Sequence, residues 1–498
     1  MKKISFKASA SLMLFMLIMV SCVKPDYTKL PTDVKKIANL KLNNWFANGK
    51  VTLNGQVMAA NSVDFNNGTS TNIDFYKWSE QMFLWITSPK DNTIVLETPE
   101  FYTVSPPYSK GNTISRNLIP HNPSKTLSAS VNIIKLDTEE GQAGSDDVLM
   151  SKDGSILYYI TFVNDVYAKF LDGSIKKKLN DPKFFPTTHK ELDRIIAFAK
   201  NIGETVKSPE TLTMELKTSW VDLDSIPKDI RKEYITVRAN VPTYDRSSNK
   251  KWTLTGKPQI KTLALLGMHV VGSVKGHPEM IWATFEHRHN SPNLTYDYVD
   301  ENGKTKTVVA DTGNHWLLNS KSTDIVYNKS HMNYENNTIV AKSNDTISPS
   351  NTKRINAFGV AYDNNAKPNN ENKSTAESNS QIIAVNNTVR DQLIAGDVRK
   401  NYIFIGATWT QNGAAPTGKS YSVKKKQTSP GVAVGTSQLA NSTMETYFQY
   451  GAAGKFNSND ASCFSCHNGN LNPKEKKGLS HIYSQLFDGE ISSLKTTY

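Results

Sequence analysis

The feature that most constrains this 498-residue chain is a motif close to its C-terminus, Cys463-Phe464-Ser465-Cys466-His467. Cys-x-x-Cys-His is the attachment sequence for c-type haem. Two thiols one turn apart add to the two vinyl groups of the porphyrin, and the adjacent imidazole becomes the proximal iron ligand. The chain has three cysteines, and the third, Cys22, belongs to a predicted export signal. The sequence therefore predicts one covalent haem c, held by Cys463, Cys466 and His467.

The same two cysteines admit other chemistry. A local Cys463–Cys466 disulfide in an oxidising compartment would leave His467 as an ordinary surface residue. A structural zinc site would need four ligands of the Cys, His or carboxylate type, and the chain has no second Cys pair to complete one. We favour haem, and the disulfide is the main alternative.

The N-terminal residues predict export followed by lipid anchoring. Two lysines precede an apolar run over residues 12–20, which is too short for a permanent transmembrane helix. The run ends at Met19-Val20-Ser21-Cys22, which resembles a lipoprotein signal in which the cysteine is acylated, although Met19 stands where Leu is usual. Simple secretion with Cys22 discarded is the alternative. Because covalent haem attachment takes place outside the cytoplasm, we expect a bacterial lipoprotein on the periplasmic face or at the outer membrane.

Composition describes an ordinary globular protein, with 38% hydrophobic and 21% charged residues. The formal net charge is +12, but the lysines are scattered, apart from short runs at residues 176–178 and 424–426. Such runs are typical of solvated loops, so the charge predicts no nucleic-acid partner. A net basic surface could steer an acidic redox partner towards the protein.

The pattern of elements predicts an α+β fold, with a large mixed, strand-rich domain and a short helical haem-bearing extension packed against it. The predicted helices are residues 75–85, with Asp74 as the N-cap, residues 189–206 and a short one at 388–395. Predicted strands rich in β-branched and aromatic residues cover 234–241, 262–274, 280–287 and 401–409. Turns are expected at Asp153-Gly154, Asp172-Gly173 and residues 300–303, and long loops at 341–384 and 412–436.

Four segments follow from this pattern. They are residues 1–21 (lipoprotein signal peptide), 22–55 (tether and start of the fold), 56–436 (large α+β domain) and 437–498 (haem-binding segment). The residues after His467, 468–498, contain no Met. A free-standing c-type domain wraps its haem with helices on both sides and often supplies a downstream Met. We therefore expect the large domain to cover one haem face and to supply any distal ligand.

Three side chains are the main candidates for that distal ligand, and Met268 is a fourth. His269 lies in an apolar strand, where a charged group would be costly to bury, so a hydrogen-bonded core histidine is the alternative. His481 is the nearby candidate after the motif. Met444 is the remaining one.

Several stretches together resemble a family of exported bacterial proteins labelled as the cytochrome c family. They span about residues 215 to 467, in the family order: Glu215–Trp220, Leu266–Val271, Trp282–His287 with Asn290 and Pro292, Asn401–Gly406 and Asn441–Thr446, leading into the motif. The resemblance implies haem and an integrated architecture. It implies no particular reaction, since the family lacks an assigned one.

The strand Trp282–His287 adds a possible reactive pair. Glu286 and His287 could form a polar pocket beside the haem and transfer protons, or they could belong to a structural hydrogen-bond network. Alternation also puts His287 and His289 on one face, where two imidazoles could bind a metal. Glu215 and Lys217 share a strand face as a surface or interface ion pair.

The sequence thus predicts a lipid-anchored monohaem redox protein, which transfers electrons or acts as a haem-dependent oxidoreductase on an unspecified substrate. Whether it is an enzyme stays open: an open sixth iron position would indicate one, whereas two strong axial ligands would indicate electron transfer. The alternative is a non-redox cell-surface binding lipoprotein with a Cys463–Cys466 disulfide. No Ser-His-Asp order, phosphate loop or dinucleotide fingerprint is present in a supporting context.

Overall fold

The computed structural model describes a large part of the chain, and the predicted signal peptide with Cys22 lies outside the described residues. The described residues are 28–65, 71–110, 113–121, 138–142, 145–179, 184–320, 326–359, 361–362, 371–420, 429–449, 463–468 and 478–487. Among these residues, no helix combines the length and the apolar character needed to cross a bilayer.

The fold is α+β and rich in strands, as predicted. The α-helices are α1 (Asn72–Ile86), α2 (Asp165–Ile175), α3 (His189–Asn201), α4 (Glu371–Gln392) and α5 (Cys463–Cys466). Single-turn 3-10 helices lie at Leu42–Trp45, Val95–Glu97, Pro209–Thr211, Leu223–Ser225, Arg231–Glu233, Val398–Asn401, Gln411–Gly413 and Thr446–Gln449. The strands are β1 (Pro89–Lys90), β2 (Thr93–Ile94), β3 (Phe101–Val104), β4 (Tyr108–Lys110), β5 (Thr113–Ser115), β6 (Leu118–Pro120), β7 (Asp147–Val148), β8 (Tyr158–Asn164), β9 (Met214–Asp222), β10 (Thr236–Val241), β11 (Tyr244–Asp245), β12 (Lys251–Leu254), β13 (Gln259–Val274), β14 (His277–His287), β15 (Tyr296–Val299), β16 (Thr305–Val308), β17 (Met332–Glu335), β18 (Thr338–Ala341), β19 (Ala361–Tyr362), β20 (Tyr402–Thr410) and β21 (Ala433–Thr436).

The centre of the molecule is an antiparallel sheet in the order β19-β21-β20-β14-β13-β9-β8-β3-β6, with β10 paired to one end of β13. A second, smaller sheet has the strand order β11-β12-β18-β17-β7. The predicted strands in 234–241, 262–274, 280–287 and 401–409 are all confirmed, and all belong to the central sheet.

The two faces of the central sheet bury different partners. On one face, α1 packs through aromatic contacts: the Phe75 ring stacks on Trp409 at 3.9 Å and the Phe83 ring on Phe285 at 4.3 Å. Helix α4 joins the same apolar cluster through aliphatic side chains such as Ile382 and Val385. On the other face, α2, α3 and the C-terminal residues share a separate apolar cluster with Val271. The C-terminal residues therefore join the main fold through the face opposite α1.

The predicted helices are confirmed with corrections at their ends. Helix α1 begins at Asn72, and Asp74 is its third residue, not its N-cap. The Asp74 carboxylate accepts the backbone N–H of Thr71 at 2.9 Å, so it stabilises the first turn from inside. Helix α3 begins where predicted but ends at Asn201, before Gly203, whose φ is +77°. A left-handed glycine there is a common helix stop.

Two turn predictions fared differently. Asp153-Gly154 does reverse the chain: Gly154 has φ +85° and Leu157 N–H donates to the carbonyl of Leu149 at 2.9 Å. Asp172-Gly173 was wrong, because both residues lie inside α2. A Cβ at Gly173 would lie 2.6 Å from Leu179, so the glycine serves close packing and not a turn.

The prediction of long loops over residues 341–384 was also wrong in part. Helix α4 starts within this Asn- and Ser-rich stretch, and the helix predicted at 388–395 is its last part. Asn386, farther along the helix, shows that a polar side chain can be buried here: its amide donates to the carbonyl of Phe404 at 2.8 Å and accepts from the N–H of the same residue at 2.9 Å. The hairpin at 300–303 is confirmed by β15 and β16, and the predicted loop 412–436 ends in β21.

Candidate functional site

The Cys-x-x-Cys-His motif forms a single helical turn, α5. The N–H of His467 donates to the carbonyl of Cys463 at 2.8 Å, which places the imidazole directly after the turn. Phe464 is fully buried and its ring lies edge-on to Trp282 of β14, with 5.9 Å between the centroids. Both thiols are free, with Cys466 exposed and Cys463 half-buried. A buried aromatic residue therefore fixes the turn to the sheet while Cys466 stays exposed.

His467 is held as a neutral imidazole with a defined tautomer. Its Nδ1 lies 2.8 Å from the carbonyl oxygen of Leu479, and since a carbonyl only accepts, Nδ1 carries the hydrogen. Burial lowers the pKa of His467 to about 3, with help from the nearby His481. The lone pair is then on Nε2, and a histidine whose other nitrogen is bonded to a carbonyl is the usual form of a metal ligand.

A cavity of about 600 Å³ opens beside the motif and is lined by Cys463, Cys466 and His467. Its volume is in the usual range for a small-molecule or cofactor site. The rest of the lining joins the central sheet to distant loops and to the C-terminal residues. These side chains include Arg116, Glu139, Asp146, Glu215, Lys217, His269, Val271, Trp282, Glu445, Tyr447, His481 and Gln485.

Strand register explains how the sheet supplies its part of the lining. Lys217 of β9 lies directly opposite His269 of β13, and in the next row Glu215 lies opposite Val271, which pairs on its other side with Trp282 of β14. Because side chains alternate between faces, the residues between them point to the α1 side of the sheet. The prediction that Glu215 and Lys217 share a strand face is confirmed, but that face lines the cavity and is not an exposed surface.

His269 is bonded to a residue from the stretch Asn441–Thr446 that precedes the motif. Its Nε2 contacts the carboxylate of Glu445, and the other carboxylate oxygen of Glu445 accepts the backbone N–H of Asn441 at 3.0 Å. Both His269 and Glu445 line the cavity. The distal candidate from the large domain therefore shares a cavity with the motif, as a hydrogen-bonded pair.

Further charged groups surround this pair. Arg116 forms an ion pair with Glu139 at 2.5 Å and donates to the side chain of Gln485 at 2.5 Å. The Ser480 hydroxyl donates to Glu215 at 2.5 Å, and burial raises the pKa of Glu215 to about 6.

Burial lowers the pKa of the Lys217 ammonium, which lies 5.7 Å from the centroid of the Tyr159 ring. Perturbed titratable groups around one cavity are typical of functional sites.

The sequence did not predict that Arg116, Glu139 and Glu445 line the cavity. Arg116 and Glu139 precede the strands of the site by about a hundred residues, and no local pattern connects them to it. Glu445 carried a weak signal, because it lies in the stretch Asn441–Thr446 just before the motif. Glu215 and Lys217 carried a usable signal. Side chains alternate between the two faces of a strand, and β9 pairs with β13, which carries His269. This alternation could have assigned both residues to the cavity.

Of the other two main distal candidates, one is absent from the described cavity lining and one lines the cavity beside His467. Met444 is fully buried in an apolar cluster with Tyr159 and Leu266 and is not among the described residues that line the cavity. His481 lines the cavity but stacks on His467, with centroids 4.5 Å apart and an interplanar angle of 22°.

Glu286 and His287 are not among the described cavity residues either. The Glu286 carboxylate is fully buried and forms an ion pair with Arg354 at 2.9 Å. The His287 ring stacks on Tyr234 at 3.7 Å, and its Nε2 lies 3.2 Å from the carbonyl of Glu233. Burial lowers the pKa of His287 well below its usual value. Proton transfer by this pair stays a prediction, and the structure does not bring it together with the motif.

A bare metal ion has no ready site in the described part of the chain, where no group of three or more His, Cys, Asp or Glu side chains is arranged to hold one. His287 and His289, the pair that could have formed such a site, have ring centroids 5.5 Å apart. Their nearest acid is Glu233, which bonds Arg288 at 2.8 Å.

Comparison with known proteins gives no relative, since no family model, curated protein or solved structure matches this chain. The resemblance to cytochrome c family proteins therefore stays a prediction. The function is inferred below from the residues of the cavity.

Proposed function

We propose that this protein is a monohaem c-type redox protein, in which Cys463 and Cys466 hold haem through thioethers and His467 ligates the iron. The observation that carries the proposal is the convergence of the two thiols and a neutral imidazole on one cavity of about 600 Å³. The hydrogen bond from Nδ1 of His467 to Leu479 supports it, because such a bond orients a ligating imidazole and raises its basicity.

The thiol chemistry favours thioethers over a redox-active dithiol. Burial and the negative charge of Glu445 raise the pKa of the Cys463 thiol. Catalytic Cys-x-x-Cys pairs have a lowered thiol pKa, because the thiolate is the nucleophile in disulfide exchange. A thiol held in its neutral form is poorly suited to that exchange.

Bound haem would supply one-electron chemistry, and its axial ligands and burial would set its potential. The chain supplies the surroundings. Cys463, Cys466 and His467 would hold the group, while Lys217 is a cation in the same cavity that suits a haem carboxylate. Trp282 packs against the His467 ring with 4.3 Å between centroids, which excludes water from the proximal side.

The cavity favours a haem-dependent oxidoreductase over a simple electron carrier. Haem attachment uses only the motif, yet Glu215, Lys217, His269 and Glu445 also line the cavity. Side chains that can donate or accept protons are what a haem enzyme needs beside its substrate.

We also propose that the protein is exported and anchored to a membrane by lipid on Cys22. Covalent haem attachment outside the cytoplasm requires export, and the N-terminal pattern supplies a signal for it. Its partner would be a redox protein or a small molecule.

The test is an absorption spectrum of protein exported from a host with haem-attachment machinery, oxidised and then reduced with dithionite. We expect a sharp reduced α-band and haem that survives acid-acetone extraction. The double variant Cys463→Ala/Cys466→Ala should lose covalent haem, and His467→Ala should keep it with an altered spectrum. His315→Ala is the matched control, because His315 is an exposed histidine outside the cavity lining. Absence of a Soret band at full maturation would overturn the proposal and leave a disulfide-bearing binding lipoprotein.

A further inference from the structure

The Nε2 nitrogen at the tip of the His269 ring is already bonded. Nε2 contacts the Glu445 carboxylate, and since a carboxylate only accepts hydrogen bonds, Nε2 carries the hydrogen. A protonated nitrogen has no lone pair to give to a metal. In this arrangement His269 cannot ligate iron through Nε2.

Glu445 is itself held firmly in place. Its second oxygen accepts the N–H of Asn441, and the Asn441 side chain donates to the Thr284 hydroxyl at 2.8 Å and to the Phe285 carbonyl at 3.2 Å. Thr284 pairs with His269 across β13 and β14. The sheet that carries His269 therefore also fixes the acid that bonds it.

The other described candidates do not replace His269. Met444 is buried in a separate apolar cluster. His481 stacks nearly parallel on His467, so in this arrangement it would pack beside the proximal imidazole and would have to leave that contact to act as a second ligand. A distal ligand would require one of these side chains to leave its present contacts.

We propose that Glu445 is a positioning residue that keeps His269 off the haem iron, so that the sixth coordination position is open to a small exogenous ligand. This inference rests on the proposed function and deepens it. The ligand class is a small molecule with a lone pair for iron, such as carbon monoxide or cyanide used as probes. Lys217, opposite His269 in the strand register, supplies an ammonium donor on the same wall of the cavity.

The test is a double-variant cycle on the haem-loaded protein, read by the spin state of the iron and by carbon monoxide affinity. Wild type should be high-spin in the ferric state and bind carbon monoxide when reduced. Glu445→Ala frees Nε2 of His269, so the iron should become low-spin and the carbon monoxide affinity should fall about tenfold or more, because an internal ligand then competes for the site. Glu445→Ala combined with His269→Ala should restore the wild-type spectrum.

A matched control separates this role from a general loss of structure. Glu445→Gln keeps a side chain of the same shape that can still hydrogen-bond His269, so it should resemble wild type. A merely structural role would give altered spectra in the double variant as well. Low-spin wild type that becomes high-spin in His269→Ala would make His269 the distal ligand and overturn the inference, while covalent haem stays in place. Loss of covalent haem altogether would instead overturn the proposed function.

Discussion

At the scale of single residues, the contacts that matter most join parts of the chain far apart in sequence. The convergence of Cys463, Cys466 and His467 on one cavity wall could be predicted from their local spacing, while thioether attachment and iron ligation stay predictions. The pairing of His269 with Glu445 could not, since the two residues are 176 positions apart and only the register of β13 and the turn at Asn441 bring them together. Local spacing therefore predicts a motif better than it predicts the residues around it.

Glu286 illustrates the same limit and gives a testable prediction. Its carboxylate bonds Arg354 at 2.9 Å and accepts the N–H of Ser442 at 2.8 Å, fully buried. Glu286→Gln should lower the free energy of unfolding by about 3–5 kcal/mol, because it leaves a buried guanidinium without its charge partner. Chemical denaturation measures this loss.

The control for that prediction is Lys36→Ala, which breaks an exposed ion pair with Asp391. An exposed pair contributes about 0–1 kcal/mol, so the free energy of unfolding should barely change. If Glu286→Gln leaves stability unchanged but alters haem chemistry, Glu286 has the proton-transfer role and not the structural one.

At the scale of elements, apolar periodicity predicted α1 and α3, and β-branched runs predicted the central strands. It missed the first part of α4, where the composition is polar, and Asn386 of this helix bonds the backbone of β20. The turn predicted at Asp172-Gly173 lies inside α2. Glycine normally suggests a turn, but here Gly173 permits close contact with Leu179. Each failure occurs where a long-range contact replaces the local preference of a residue.

The packing of α1 against α4 carries a pH-dependent prediction through Glu80. Glu80 is 5% exposed, and burial raises its pKa to about 8, opposed by the charge of Arg390. The folded protein therefore retains a proton that the unfolded chain releases near its ordinary pKa of 4.5. The contribution of Glu80 to the free energy of unfolding is therefore fully present below pH 4.5. It is lost as the pH rises towards 8, by up to about 1.4 kcal/mol per pH unit.

Glu80→Gln should flatten this dependence, because the amide stays neutral at every pH. Urea unfolding at several values between pH 5 and pH 8 should show the variant gaining stability relative to wild type as the pH rises. Glu301→Gln changes an exposed glutamate, so its free energy of unfolding should show the same pH dependence as that of wild type. Parallel curves for Glu80→Gln as well would contradict a raised pKa at this position.

At the scale of the whole molecule, the described residues near the C-terminus, 463–468 and 478–487, belong to the main fold. Tyr483 lies within 6.1 Å of the Tyr167 ring, 6.0 Å of Phe170 and 5.7 Å of Phe185, measured between centroids. These aromatic residues bind the motif-bearing segment to α2 and its neighbours. The absence of a Met in residues 468–498 after His467 led us to predict that this segment packs against the large domain. Its packing partners became apparent only from the structure.

Tyr483→Ala tests whether the segment and the domain unfold together. We expect a loss of about 3–5 kcal/mol in the free energy of unfolding, by analogy with other large aromatic truncations in a core, and one cooperative transition at a lower temperature. Tyr108→Ala, at a partly exposed tyrosine, is the control. If hydrogen exchange shows only residues 478–487 loosened while the sheet keeps its protection, the segment is a tethered appendage.

The measurement that tests the central claim most directly is the mass of the proteolytic peptide that carries Cys463 and Cys466. The protein is exported from a host with haem-attachment machinery and denatured before digestion. We predict a peptide heavier by one haem, with both thiols blocked to alkylation. A peptide lighter than the dithiol form by its two thiol hydrogens would show a disulfide, and an alkylated one would show free thiols. Either result would contradict covalent haem and favour the binding lipoprotein.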